Sequence, residues 1–317
     1  MSSNPEKLAH ANDLERSEEP QPEYSSRTSV WTGYYELTKP RLSFLSVITA
    51  IIGYFAAQPG RDLPLFFLFC IGTALSAAGC ATINQWLERR EDGIMERTRD
   101  RPIPTGLVSP AKALIFGILL SVIGTSILWF GVNPLTAYLG AATIISYVAI
   151  YTPMKKRTRW NTEVGAISGS LPPLMGWAAA ENAIGPLGWI LFGILAIWQI
   201  PHFMAISWMY RDDYARADFV MLSTIDETGD RVARWSTINA FILFGLSLTP
   251  SIFGYTGWFY TAFAAIFGAW LLQRSLAFQQ KNQEEERYQA ARKLFFNSIF
   301  YLPAVLFSLA IDRWILS

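Results

Sequence analysis

A chain of 317 residues that is 51% hydrophobic, 15% aromatic and only 16% charged is too poor in charge for an ordinary soluble enzyme, because soluble domains carry about 25% charged residues. Its formal net charge of +1 supplies no field that would gather nucleic acid. The two cysteines, Cys70 and Cys80, fall within one apolar run and read as small buried side chains rather than a disulfide.

In chain order, the first 30 residues hold Ser, Pro, Glu and Asn with few large apolar side chains, and read as a disordered tail ahead of a membrane domain over 31–317. The tail has no apolar run of the kind a signal peptide needs. Glu6, Asp13, Glu15, Glu18 and Glu19 argue against a mitochondrial transit peptide, which is acid-poor. A helix that crosses the hydrocarbon core needs roughly 20 mostly apolar residues. Nine segments qualify: residues 42–57, 65–87, 111–130, 135–151, 164–180, 187–210, 237–254, 258–272 and 294–311. The expected fold class is therefore all-α, a polytopic membrane protein with nine transmembrane helices. The fifth segment, interrupted by Pro172 and Pro173, is the weakest of the nine. The stretch 279–293, mixed acidic and basic, reads as a solvated helix joining the last two spans.

The connections alternate in character. Those after the first, third, fifth and seventh spans are short and nearly uncharged. Those after the second, fourth, sixth and eighth are long and basic, the first three carrying Arg89, Arg90, Arg97, Arg99, Arg101 and Lys112, then Lys155, Lys156, Arg157 and Arg159, then Arg211, Arg216, Arg231 and Arg234. The positive-inside rule puts this face and the N-terminus in the cytoplasm, and an odd span count puts Ser317 on the other side. The expected location is a bacterial cytoplasmic membrane, with the N-terminus and the basic loops on the inner side.

The charges with chemical content lie on that face. Asn84, Glu88 and Asp92 close the second span at intervals of four. On a continuing helix each step turns a side chain about 40° and rises about 6 Å, so the three share one face. Their hard oxygen atoms suit Mg²⁺, which binds through a few carboxylates plus substrate phosphates. They read equally as the solvated acids of an amphipathic helix end. Arg97 and Arg101, again four apart, offer forks that match phosphate oxygens. Lys155 and Lys156 offer point charges after the fourth span. Asp212 and Asp213 end the sixth span; neighbours on a helix point about 100° apart, so both reach one metal ion only where the helix ends or bends. His202, the one histidine after the tail, follows Pro201 inside a span. It is either a functional group, the default for an ionisable residue in a membrane, or a partner for backbone freed by the proline.

Four segments together resemble the UbiA superfamily of intramembrane prenyltransferases, and within it the haem O synthases. YYELTKPRLSFLSVITAIIGYFAA is similar to the family's first span. NQWLERREDGIMERTRDRPIPTG resembles its first acidic motif, NxxxDxxxD followed by MxRTxxRP. YTPMKKRTRWNTEVGAISGSLPPLMGW resembles its second loop and fifth span. WQIPHFMAISWMYRDDYARADFVML resembles the branch signature WQxPHFxAL followed by RxDYxxAGxPML. The resemblance runs from Tyr34 to about Leu222. It departs at Glu88, where aspartate is usual, at Asp218, where glycine is usual, and at Val220, where proline is usual.

The resemblance implies a UbiA-like helical bundle that transfers farnesyl from farnesyl diphosphate to the 2-vinyl group of haem B inside the lipid bilayer, giving haem O. It implies Asn84, Glu88 and Asp92 on one Mg²⁺, Asp212 with Asp213 on a second, and Arg97, Arg101, Lys155 and Lys156 on the diphosphate. It also implies His202 at the haem, as an axial iron ligand or a contact, and haem A synthase or oxidase assembly factors as partners. An aromatic quinone precursor as acceptor, a transporter, and a scaffold without chemistry are the alternatives. Ionisable groups gathered at one interface rather than at mid-membrane argue against a transporter, and intact acidic motifs argue against a scaffold.

Overall fold

A computed structural model of the protein describes residues 29–57 and 62–315, so the predicted tail lies almost wholly outside the described residues. Within them the chain is helical, with no strand. A short helix α1 (Val30–Leu37) leads into α2 (Pro40–Ala56), α3 (Leu63–Leu87), a short α4 (Arg89–Ile94), α5 (Pro110–Gly131) and α6 (Pro134–Met154). Then come α7 (Asn161–Glu181), α8 (Pro186–Met209), a short α9 (Arg211–Arg216), α10 (Asp230–Ile252), α11 (Trp258–Gln279) and α12 (Glu284–Ile315).

The starts of these helices follow from local chemistry. Pro40, Pro64, Pro110, Pro134 and Pro186 stand in the first turns of their helices, where the missing N–H costs nothing and the fixed φ suits the helix. Asp62 accepts from Leu65 N at 3.0 Å and Asn133 from Thr136 N at 2.9 Å, each satisfying a first-turn donor that hydrocarbon cannot.

All nine predicted spans are helices. Seven of them are long and apolar enough on their own to cross a bilayer. The two that fall short are α2, with 17 residues, and α7, which is rich in Gly, Ser and Pro. Helix α7 differs because it is central: fourteen of its 21 residues are buried. A helix enclosed by other helices needs small residues for close packing more than it needs a lipid-compatible surface. A Cβ on Gly176 would run into the Ala50 carbonyl, and one on Gly53 into that of Pro173. The α2–α7 crossing thus exists only because both positions are glycine. Pro172 and Pro173 stay inside one continuous helix.

One expectation is corrected. The stretch 279–293 does not form a separate solvated helix; from Glu284 it is the first turns of α12, a single helix of 32 residues. Arg287 there is 1% exposed. It donates to the carbonyls of Lys281 and Thr228 and to the Asp230 carboxylate, tying the starts of α10 and α12 together. Helix α6 is not regular: Ser146–Tyr151 forms a π-helical turn just before Thr152 and Lys155. Such turns re-aim the residues that follow and recur at functional sites.

Candidate active site

The predicted acidic group forms where α3 ends. Helix α3 stops at Leu87, Glu88 caps it with φ −89° and ψ 8°, and α4 resumes at Arg89. The break is slight, since Glu88 N still donates to Asn84 O at 3.0 Å and Asp92 N to Glu88 O at 2.8 Å. The three side chains therefore remain on one side as the spacing implied, and all are buried; Asn84 and Asp92 are 0% exposed. That excludes the reading of solvated acids.

Each has a specific partner. Asn84 accepts from Lys39 Nζ at 2.7 Å and donates to Thr152 Oγ1 at 3.0 Å. Lys155 Nζ lies 2.6 Å from Glu88 Oε1. One guanidinium nitrogen of Arg101 lies 2.7 Å from each oxygen of Asp92. Lys155 also sits over the Tyr151 ring, 4.8 Å from its centroid. Its carbonyl accepts from Val220 N at 2.7 Å, fixing it from the far side of the site. The proline usual in the family at 220 could not make that bond.

The charges are mutually dependent. Burial, then the nearby Arg101 and Lys155 cations, bring Lys39 down from 10.5 to about 7. Burial alone would raise Glu88, but Lys155, Lys39 and Arg101 outweigh it and hold the carboxyl below its ordinary value. For Asp92 burial wins over Arg101 and the shift is upward. Lys155 is held well above its ordinary value, because the attraction of Glu88 outweighs the burial that would lower it. Among the described residues Lys155 pairs with Glu88 and Arg101 with Asp92, while Lys39 has the neutral Asn84 carbonyl as its hydrogen-bond partner. With no carboxylate of its own, Lys39 keeps its proton more readily when an anion joins the cluster.

Other predicted residues fall elsewhere. Lys156 is half exposed and pairs with the buried Glu91, a carboxylate the sequence reading did not single out. Arg97 is exposed and lies over Tyr210 and Tyr214, with centroids at 5.1 and 5.8 Å. The two aspartates separate. Helix α8 ends at Met209 and Tyr210 takes a non-helical conformation before α9. Asp213 is turned inward to accept from Glu96 N at 3.1 Å, Arg97 N at 3.4 Å and the Arg216 guanidinium. The Asp212 side chain is 86% exposed, with Arg211 at 3.6 Å. In this arrangement the two carboxylates point apart, and Asp213 clips α9 to the segment that carries Arg97. His202 lies in α8, about two turns before its end. Its Nδ1 is 2.8 Å from Ser298 Oγ on α12, so it does not serve the backbone freed by Pro201.

Among the described residues no group of three or more His, Cys, Asp or Glu side chains converges as a ready-made metal cage. Mg²⁺ rarely uses one, keeping waters and taking one or two carboxylates plus substrate phosphate. The oxygen atoms of Asn84, Glu88 and Asp92, buried together at one helix end, fit that requirement.

Sequence reasoning missed Lys39. The signal was there in TKPR, a lysine set directly before the proline that starts α2. It stands in the left-handed region at φ 45°. Asp218, in place of the family glycine, also has a positive φ of 56° and is exposed. Aspartate is one of the few residues besides glycine that adopt this conformation.

The UbiA prenyltransferase family matches residues 46–299. A relative from Opitutus terrae named protoheme IX farnesyltransferase is 49% identical over 89% of this chain and 95% of its own. One of the same name from Solibacter usitatus is 41% identical over 88% and 98%. Among solved structures, a study of digeranylgeranylglyceryl phosphate synthase in membranes gives a TM-score of 0.75 at 17% identity, covering 90% of this chain and 98% of that one. A UbiA homologue from Archaeoglobus fulgidus bound to GPP and Mg²⁺ gives 0.61 at 12% identity, covering 87% and 99%. With the family matched across most of its length and the fold shared with solved members, the chain belongs to the UbiA prenyltransferase family, as an integral membrane protein of the group whose named relatives are protoheme IX farnesyltransferases.

Proposed function

We propose that the protein transfers farnesyl from farnesyl diphosphate to the 2-vinyl group of haem B, giving haem O, at the cytoplasmic face of a bacterial inner membrane. The observation that carries the reaction type is the buried cluster in which Lys39, Arg101 and Lys155 surround Asn84, Glu88 and Asp92. The acceptor and the prenyl length follow the relatives' name.

The buried cluster supports the following roles. Asn84, Glu88 and Asp92 would hold Mg²⁺ against the diphosphate, and the ion supplies charge neutralisation of the leaving group. A second ion on Asp212 requires that exposed carboxylate to turn inward from solvent. Lys39, Arg101 and Lys155 meet the diphosphate oxygens, with Arg97 and Lys156 at the rim. Their positive charge grows in value as the allylic C–O bond breaks and its electron pair passes to the diphosphate. The vinyl π electrons of haem then bond to C1 of the farnesyl group. Water adds to the resulting porphyrin-side cation and releases a proton, leaving hydroxyethylfarnesyl haem. The farnesyl cation has to be kept from bulk water before that bond forms, and an apolar setting between the helices would do so. His202, inside α8, would contact the haem.

Purified protein in detergent, given haem B, farnesyl diphosphate and Mg²⁺, is expected to form haem O, detected by chromatography and mass spectrometry, and to stop with EDTA. Folded protein that yields no haem O but prenylates an aromatic acid would replace the acceptor and keep the cluster's role. Haem A synthase or oxidase assembly factors, the consumers of such a product, are the partners this reading proposes.

A further inference from the structure

The imidazole of His202 is braced on several sides. The Trp198 ring, one turn earlier on α8, stacks on it with centroids 4.8 Å apart and planes 21° from parallel. Phe295 of α12 lies 5.2 Å away. The third side is polar, with Nδ1 2.8 Å from Ser298 Oγ.

The proton positions follow from counting donors. A serine hydroxyl has one proton. Ser298 Oγ lies 2.6 Å from the Phe295 carbonyl oxygen, which can only accept, so the proton lies on that line. Towards His202 the same oxygen is therefore an acceptor, and Nδ1 must carry the hydrogen. The neutral ring then has its lone pair on Nε2. Among the described residues Nε2 has no hydrogen-bond partner, and it is not one of the sealed, unpartnered polar atoms of the interior. Ser298 is itself held in place, because Trp198 Nε1 donates to its carbonyl at 2.9 Å. Trp198 and Ser298 thus fix both the plane and the tautomer of the ring.

We propose that Ser298 is a positioning residue that holds His202 as the Nδ1–H tautomer and presents Nε2 as an open, neutral Lewis base within the bilayer. Histidines that ligate metals usually donate their other ring N–H to a nearby acceptor, which sets the tautomer and ring direction. A serine hydroxyl does this without adding charge, so the site suits a metal centre carried by an apolar ring system, haem iron above all. The identity of that ligand rests on the haem reading given above; the tautomer does not.

The chain has only two histidines, His10 and His202. In ¹⁵N-histidine-labelled full-length protein carrying His10→Gln, one imidazole remains, and its two nitrogens report the tautomer by NMR without any ligand. The expected result is a protonated Nδ1 and an unprotonated Nε2. A protonated Nε2 overturns the proposal. Ser298→Thr keeps the acceptor and should keep the tautomer, whereas Ser298→Ala should release a mixture. Ferric haem B added to the labelled protein should shift or broaden the Nε2 signal and change the haem absorption band, and Ser298→Ala should weaken haem binding by roughly tenfold. If the tautomer is as assigned but haem leaves both the ring signals and the absorption band unchanged, the positioning role stands and the haem-ligand reading of His202 falls.

Discussion

Lys39 occupies a left-handed backbone conformation directly before Pro40, with its ammonium on the Asn84 carbonyl oxygen. A non-glycine residue held there costs of order 1–3 kcal/mol, so the surroundings must over-determine it. Diphosphate binding supplies a reason. Lys39→Met is expected to raise the KM for farnesyl diphosphate about 10- to 100-fold, the loss of one charge-assisted bond of roughly 1.5–3 kcal/mol. Haem affinity should not move, and Lys39→Arg should recover part of the loss. An unchanged KM for Lys39→Met would remove the lysine from the diphosphate site. The carboxylates separate in the same way. Glu88→Gln and Asp92→Asn should each cut turnover by roughly 10³-fold, with melting curves in detergent showing folded protein. Asp212→Asn, at an 86% exposed side chain, should cost only a few-fold. Asp213→Asn, which weakens the clip between α9 and the Arg97 segment, should cost more than Asp212→Asn. The reverse order would return Asp212 to the centre of the site. Spacing in the sequence revealed Asn84, Glu88 and Asp92 because their relation is local. It could not pick Lys39, whose partner lies 45 positions away. Nor could it decide between Asp212 and Asp213, since the turn at Tyr210 that buries one of them is set by packing.

Elements were legible wherever the environment is lipid, because hydrocarbon demands a long apolar run and the chain displays it directly. Helix α7 obscured that signal for a physical reason: it is surrounded by protein, so its composition answers to packing. The same applies to the start of α12, where a charged stretch reads as solvated until the burial of Arg287 against α10 is seen. The π turn in α6 has no composition of its own and was invisible beforehand. The glycine crossing of α2 and α7 makes the packing explanation testable. Gly176→Ala puts a Cβ against the Ala50 carbonyl and Tyr54 N. Overpacking of this kind costs about 1–3 kcal/mol, and the detergent melting temperature should fall by roughly 3–10 °C. Gly245→Ala in α10 meets nothing within 4 Å; there the ordinary helix preference for alanine, about 1 kcal/mol, should hold or raise stability. Equal effects at the two positions would mean that α2 and α7 are not locked by backbone contact.

At the scale of the molecule, the charge distribution orients the bundle and, with it, the cluster of Lys39, Arg101 and Lys155. Basic loops follow α3, α6 and α8, while the turns at the opposite ends carry Asn133, Asn182 and Gly185 as capping and turn residues. A membrane potential that is negative inside, together with anionic lipid, favours the basic loops in the cytoplasm. Farnesyl diphosphate, a water-borne head on an apolar tail, would then meet Lys39, Arg101 and Lys155 from the cytoplasm, with its tail passing between the helices. Haem would reach His202 laterally through lipid. The orientation can be tested apart from the chemistry. With Cys70 and Cys80 replaced by alanine, single cysteines at Arg157 and Glu181, both exposed, should label from opposite sides of sealed inverted vesicles. A membrane-impermeant maleimide added outside such vesicles should reach position 157 and leave position 181 unreacted until detergent is added. Labelling of position 181 alone would invert the topology and place the diphosphate cluster on the far side from the cytoplasmic pool of prenyl diphosphate. Labelling of both would mean that α7 does not cross the membrane, and the bundle would have to be redrawn with α7 as a re-entrant helix.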